Sequence, residues 1–390
     1  MESKWYDNPI LKTPDSWQAK EATSSIYSNL WTGVLIIILL PIILVIFILF
    51  LLLWILPGFG WFYERYAEAR DRKKYYPPID EMRPWGPDNK LIHVVHFRAP
   101  ESKFPPIVYL AGMGISMSIV KPLLLKFIEH MNEPIEIISF DSPGYGASEP
   151  PNDWNTENIQ SELLLLRKII EMSKLRKPFI LMGGSLGGLM AYLFRLTYPE
   201  DVAGVILCDP SPPNLFDRES PVVKDLDQTC FIFKIMAGIA PWGLLRPLSF
   251  LTPYFVTDKT SNMSLLLVPS CMKLLMTQTM LQKLARQLDY WHTITDYKSK
   301  FENDEIGHRN IPLLVISALH WTKKRPHGGL TREEIRQWWY DSEQYFLRSS
   351  DNGGFIPRKD YTHVQCVLDM ELAANATKVI LTQIHSKITH

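Results

Sequence analysis

The sequence predicts an α/β fold with a mostly parallel central sheet and an inserted helical lid, preceded by one transmembrane helix. Three observations carry that expectation. From about Leu91, short β-branched runs alternate with amphipathic helical stretches, the pattern of strands joined by crossover helices. The interval 212–305 interrupts this rhythm with a helical stretch rich in Met and aromatic residues. Ahead of both, 23 consecutive residues from Val34 to Leu56 carry no charge, and Pro41 is the one non-apolar member.

Composition narrows the function classes. The 390 residues hold 41 Lys+Arg against 41 Asp+Glu, so the chain is formally neutral. Nucleic acid is therefore excluded as a partner, because phosphate binding rests on a cationic face that displaces counterions. With 46% hydrophobic and 12% aromatic residues, the chain can build a core and is not disordered.

Taken in order, residues 1–33 form an N-terminal tail and residues 34–56 the membrane helix. At ~1.5 Å rise per residue, this run spans a hydrocarbon core of roughly 30 Å. Lipid offers the backbone no other partner, so the helix keeps Pro41 with a kink. Trp31, Trp54, Trp61 and Phe62 flank it as an interfacial belt. The run is too long for a cleaved signal peptide, and it ends in Pro57-Gly58-Phe59-Gly60 rather than a small-x-small site. Arg65, Arg70, Arg72, Lys73 and Lys74 crowd its C-terminal end, whereas Lys4, Lys12 and Lys20 lie far from its start. That bias favours a cytosolic C-terminal part, and an endomembrane such as the endoplasmic reticulum is the expected location. The glycosylation sequons Asn262-Met263-Ser264 and Asn375-Ala376-Thr377 point the other way.

Residues 57–90 read as a basic and Pro-rich linker or extended arm, through Tyr75-Tyr76-Pro77-Pro78 and Pro84-Trp85-Gly86-Pro87. Residues 91–211 form the first part of the core, 212–305 the helical lid and 306–390 the second part of the core. Strands are expected at Leu91 to Phe97, Ile107 to Leu110, Ile135 to Phe140, Phe179 to Met182, Val205 to Cys208 and Leu313 to Ser317. Helices are expected at Val120 to Met131, Thr156 to Ser173, Leu186 to Thr197 and Leu368 to Gln383. Cys208, Cys230, Cys271 and Cys366 show neither metal-ligand nor disulfide spacing, so no zinc site or disulfide framework follows from them, and no metal or organic cofactor is expected.

The chemistry begins at Gly183-Gly184-Ser185-Leu186-Gly187, which follows the strand Phe179 to Met182 and opens an apolar helix. This G-x-S-x-G turn is so tight that Gly183 and Gly187 leave the space a side chain would fill. It puts the Ser185 hydroxyl at a strand end and a helix N-terminus, where backbone N–H groups can receive an oxyanion. A serine hydroxyl needs a base. Downstream candidates are His292, His308, His320, His327, His363, His385 and His390, with His363 in Asp360-Tyr361-Thr362-His363 before the last helical run.

The elbow, together with Asp141-Ser142-Pro143-Gly144-Tyr145-Gly146-Ala147-Ser148 after a strand, resembles the α/β-hydrolase fold family over roughly Leu91 to Gln383. Leu110-Ala111-Gly112-Met113-Gly114 resembles that family's turn after its third strand, with Ala111 where a His is usual. The resemblance implies a base in a loop just before the last helix, which favours His363 with His320 as competitor, and oxyanion donors at the backbone N–H groups of Met113 and Leu186. It also implies an acid after the seventh strand, but 319–332 holds no Asp or Glu. The alternative position in that fold, the end of the sixth strand, offers Asp209, and Glu334 is the runner-up.

A Ser at the elbow excludes the branches of the family that use an Asp nucleophile, and implies acyl transfer through an acyl-serine. The lid segments Phe231 to Met236, Leu248 to Leu251 and Tyr254 to Phe255 suggest a lipophilic ester, such as a monoacyl lipid, reached from the bilayer. Two alternatives stay open. One is a catalytically impaired scaffold, suggested by the displaced acid and the missing His before Gly112. The other is an aminopeptidase or amidase that binds a substrate amine through lid acids, among them Asp225, Asp227, Glu302, Asp304 and Glu305.

Overall fold

The computed structural model describes residues 26–55, 58–75, 81–85, 89–246, 277–297, 309–320 and 330–388. The chain divides into two units, 1–59 and 60–390. The described part of the first is the apolar helix α1 (Ile26–Ile55), which contains Pro41. Among the described residues no single helix is long and apolar enough to cross a membrane. The pair Leu39–Trp54 and Phe59–Asp71 passes that test together by length and composition. Several expectations fall outside the described residues: the tail up to residue 25, the lid stretches Leu248 to Leu251 and Tyr254 to Phe255, the sequon at Asn262, Cys271, and the acids Glu302, Asp304 and Glu305.

In the second unit the chain runs α2 (Phe59–Tyr75), β1 (Met82–Trp85), β2 (Lys90–Phe97), β3 (Ile107–Leu110), α3 (Met117–Met131), β4 (Ile137–Phe140), α4 (Ile159–Met172), β5 (Phe179–Ser185), α5 (Leu186–Thr197) and β6 (Val202–Pro210). The lid interval supplies α6 (Val223–Ile239) and α7 (Gln278–Trp291). The chain then closes with β7 (Leu313–Ala318), α8 (Arg332–Gln344), β8 (Gly353–Arg358), α9 (His363–Leu368) and α10 (Met370–Ile388). Among the described residues eight strands make one sheet in the order β1-β2-β4-β3-β5-β6-β7-β8. β2 pairs antiparallel with β1 and β4, and the remaining pairs are parallel.

The central strands are apolar without interruption because both faces are covered. Phe179 and Leu181 of β5, Val205 and Leu207 of β6, and Leu313 and Val315 of β7 face a core shared with α4, α5 and Trp339 of α8. The alternate residues Ile180, Met182, Ile206, Cys208, Leu314 and Ile316 face a core shared with α3 and α10. Helix starts are set by side chains that take free amides. Asn158 and Ser161 cap α4, and Thr331 and Glu334 cap α8, each pair a reciprocal capping box.

Three features differ from the sequence reading. The segment 57–90 is not a plain linker, because it holds α2 and β1. β1 accommodates Pro84 because it is the sheet edge, where a missing N–H costs no ladder bond. The other edge, β8, carries Gly353, Gly354 and Pro357 and shows no β-branched run. The third difference is at α3, which starts at Met117 rather than Val120. The Asp141 carboxylate accepts the Met117 N–H at 2.7 Å and so provides a cap from a distant part of the chain.

α2 is fastened to the lid end. Arg246 lies buried between Glu64 and Asp71, with its Nε 2.6 Å from a Glu64 carboxylate oxygen and an Nη on Asp71.

Candidate active site

Ser185 joins β5 to α5 at φ 53° and ψ −126°. An L-residue avoids this region at a cost of about 1–3 kcal/mol, so neighbouring contacts must hold it. A Cβ on Gly183 would lie 2.4 Å from the Gly187 carbonyl oxygen, and a Cβ on Gly187 would lie 2.2 Å from that of Leu110. Bare backbone at these two positions lets the elbow close and lets α5 seat against the end of β3. The turn after β3 then lies beside the serine, since a Cβ on Gly112 would be 3.1 Å from Ser185 Cβ.

β6 is the parallel neighbour of β5, with Ser185 opposite Pro210. Asp209 therefore emerges next to the elbow, 1% exposed and at a positive φ of 44°. Its Oδ1 accepts the Ala318 N–H at 2.7 Å and the Trp339 indole N–H at 3.1 Å. Its Oδ2 is hydrogen-bonded to Nδ1 of His363. His363 is the first residue of α9, which Thr362 and Gln365 cap reciprocally.

Ser185, His363, Asp209, Met113 and Leu186 line one cavity of about 560 Å³. His320 lines it too, with its own N–H on the Tyr361 carbonyl at 3.0 Å, but the imidazole that meets Asp209 is that of His363. Glu334 is elsewhere. Its carboxylate accepts the Thr331 N–H at 2.7 Å at the exposed start of α8, and these hydrogen bonds lower its pKa.

The cavity wall is built by residues other than the apolar lid stretch Phe231 to Met236. Phe231, Ile232 and Ile235 of α6 are 64%, 51% and 47% exposed, so they do not form it. Leu215, Phe216, Val222, Leu226, Leu288 and Trp291 do. Among the lid acids, Asp225 reaches the wall.

The sequence reading missed Trp339 and Glu343, one turn apart on the buried face of α8. Burial, followed by the charge of Asp209, pushes the Glu343 carboxyl well above the carboxylate range. Burial and the neighbouring Asp209 thus favour the protonated form of Glu343. A buried Glu on a helix whose other acids are exposed has no distinct sequence signal.

Comparison with known proteins follows the same lines. A family model described as "Alpha/beta hydrolase family" matches residues 107–356. The 1-acylglycerol-3-phosphate O-acyltransferase ABHD5 of Rattus norvegicus is 28% identical over 158 residues, covering 36% of this chain and 44% of that protein. The monoacylglycerol lipase ABHD6 of Mus musculus is 26% identical over 143 residues, covering 36% and 41%. The chain thus spans less than half the length of these relatives. Among solved structures, an esterase from Exiguobacterium antarcticum superposes with a TM-score of 0.54 at 13% identity, covering 77% of this chain and 98% of the esterase. The enol-lactonase from Burkholderia xenovorans LB400 superposes at 0.53 and 15% identity, covering 75% and 97%. At such identities these structures speak to the fold.

Proposed function

The chain belongs to the alpha/beta hydrolase family, and on that premise we propose that it is a membrane-anchored serine hydrolase cleaving a lipophilic ester, such as a monoacyl lipid, through an acyl-serine intermediate. The observation that carries this reading is the shared cavity. A buried Asp209 carboxylate holds Nδ1 of a half-exposed His363, and both line the same space as Ser185 at the strained elbow.

In this reading Asp209 keeps the His363 proton on Nδ1, so Nε2 is free to act as base. Ser185 Oγ gives its proton to Nε2 and attacks the ester carbonyl carbon, whose oxygen becomes an oxyanion between the N–H groups of Met113 and Leu186. Collapse of the tetrahedral adduct breaks the bond to the leaving oxygen, which takes the proton from His363 and departs as the alcohol. Water, deprotonated by His363, then attacks acyl-Ser185 and releases the acid.

The apolar wall supports a lipophilic acyl group, and the volume lies in the range of small-ligand sites. Monoacylglycerol lipase ABHD6 among the relatives fits that class. Asp225 in the wall favours one competing reading, an amide or peptide substrate bound through its amine. The apolar run 34–56 and the basic residues after it support a single-pass anchor with the catalytic part in the cytosol.

The test is hydrolysis by the full chain in detergent micelles of monoacyl lipids and p-nitrophenyl esters, with aminoacyl amides in parallel. Faster turnover of long-chain esters, abolished in Ser185→Ala, is expected. Ser185-independent or absent ester turnover would overturn the reading. Protease treatment of sealed, cytosol-side-out vesicles is expected to digest residues 60–390, and their protection would reverse the topology.

A further inference from the structure

Behind the turn that holds Met113 lies a chain of buried polar groups that the reaction itself does not use. Tyr145 and Gln287 are each 4% exposed, Glu162 is 9% exposed and Lys283 is fully buried. Lys283, Gln287 and Tyr290 stand at i, i+4 and i+7 on one face of the lid helix α7. Their partners, Tyr145 and Glu162, belong to the core.

The direction of each bond follows from the charged end. Burial opposes the charge on Lys283, but Glu162 and Glu157 more than offset it and raise its pKa. Its Nζ lies 2.9 Å from Glu162 Oε1 and also meets Glu157. Glu162 is then a carboxylate that can only accept, and Tyr290 Oη donates to it. Gln287 must turn its Nε2 to Glu162, at 3.1 Å, and its carbonyl Oε1 to Tyr145. The Tyr145 hydroxyl donates to that carbonyl and keeps a lone pair for the Gly114 N–H, 3.0 Å away. The chain from lid cation to turn amide thus has one polarity.

Gly114 follows Met113, so fixing its peptide plane restrains Met113 ψ and the orientation of the adjoining N–H. Packing alone does not hold the turn from behind. A cavity of about 50 Å³, lined by Gly112, Met113, Tyr145, Glu162, Leu186 and Gln287, lies there.

We propose that Tyr145 and Gln287 are positioning residues that couple the lid helix to the oxyanion turn, so that a seated lid aims the Met113 N–H at the developing charge. This rests on the oxyanion role given to Met113 above.

The experiment compares wild type, Tyr145→Phe, Gln287→Met and the double variant, full chain in micelles, on a p-nitrophenyl ester. Each is also titrated with a trifluoromethyl ketone, whose hemiketal oxygen mimics the oxyanion. Removing a direct oxyanion donor costs about 10²–10³ in kcat, and an indirect support a fraction of that, so Tyr145→Phe is expected to lower kcat about 10-fold. KM should stay within about twofold, and ketone affinity should fall by the same factor as kcat. Gln287→Met is expected to lose about 3-fold, and the double variant no more than Tyr145→Phe alone, because both act through one chain. If Tyr145→Phe does not fold, Gln287→Met decides from the lid side. Folded variants with kcat within about twofold of wild type, or a kcat loss without weaker ketone binding, overturn this inference and leave the serine mechanism standing. Absence of Ser185-dependent turnover in wild type overturns both.

Discussion

Asp209→Asn probes the hydrogen bond to His363, the proposed base. Asp209 accepts three bonds, two at Oδ1 from Ala318 and Trp339 and one at Oδ2 from His363. An Asn can keep its oxygen toward the first two donors, which leaves its NH₂ facing Nδ1 of His363. The imidazole must then accept at Nδ1 and carry its proton on Nε2, where it cannot take the Ser185 proton. In a known serine protease triad the same exchange lowers kcat by about 10⁴, which at ~1.36 kcal/mol per decade is ~5 kcal/mol of transition-state stabilisation. KM should change little, because the cavity wall is untouched. The fold should hold, since the side chain is isosteric and the neighbouring Glu343 no longer faces a charge. The assay is steady-state ester hydrolysis beside thermal unfolding of each variant. Glu334→Gln serves as the control and should stay within about twofold of wild type, because Gln also completes a capping box. A folded Asp209→Asn variant within about tenfold of wild-type kcat, or a large loss in Glu334→Gln, would refute the assignment.

Two further perturbations read the buried charges. Glu343 holds its proton to a higher pH in the folded state than in the unfolded chain, where it titrates at its ordinary value of 4.5. Its stabilising contribution is therefore present below 4.5 and lost as pH rises through the higher folded value. Glu343→Gln removes that loss, so the variant's unfolding temperature should pull ahead of wild type as pH rises from 4.5, and parallel curves would contradict a raised Glu343 pKa. Arg246→Met leaves Glu64 and Asp71 buried without their shared cation and should cost about 3–5 kcal/mol in urea unfolding. Unchanged stability would show that the α2–lid clamp contributes nothing.

What could be read from the chain depends on whether the signal was local. β5, β6 and β7 announce themselves as short apolar runs, and the Ser185 elbow announces itself because its glycines are required by backbone approach within a few residues. β1 and β8 stayed hidden because edge strands tolerate Pro84, Gly353 and Pro357, the residues that argue against strands elsewhere. The start of α3 was misplaced because its cap, Asp141, sits 24 residues downstream. The site divides in the same way. The family resemblance points to His363 before the last helix, but the contact that bears on the choice between Asp209 and Glu334 spans 154 residues. The Tyr145–Gln287 bond spans 142 residues, and the exposure of Phe231 and Ile232 depends on how α6 packs. Lys283, Gln287 and Tyr290 did form a polar stripe on an amphipathic helix, a local sign that this face meets buried polar partners.

The central claim, that Ser185 is the nucleophile, is tested most directly by covalent labelling. Membranes containing the full chain are treated with a fluorophosphonate probe, digested, and mapped by peptide mass spectrometry. The probe is expected on the peptide carrying Ser185, lost in Ser185→Ala and strongly slowed in Asp209→Asn. Labelling of another residue, or none at all while the fold is intact, would contradict it.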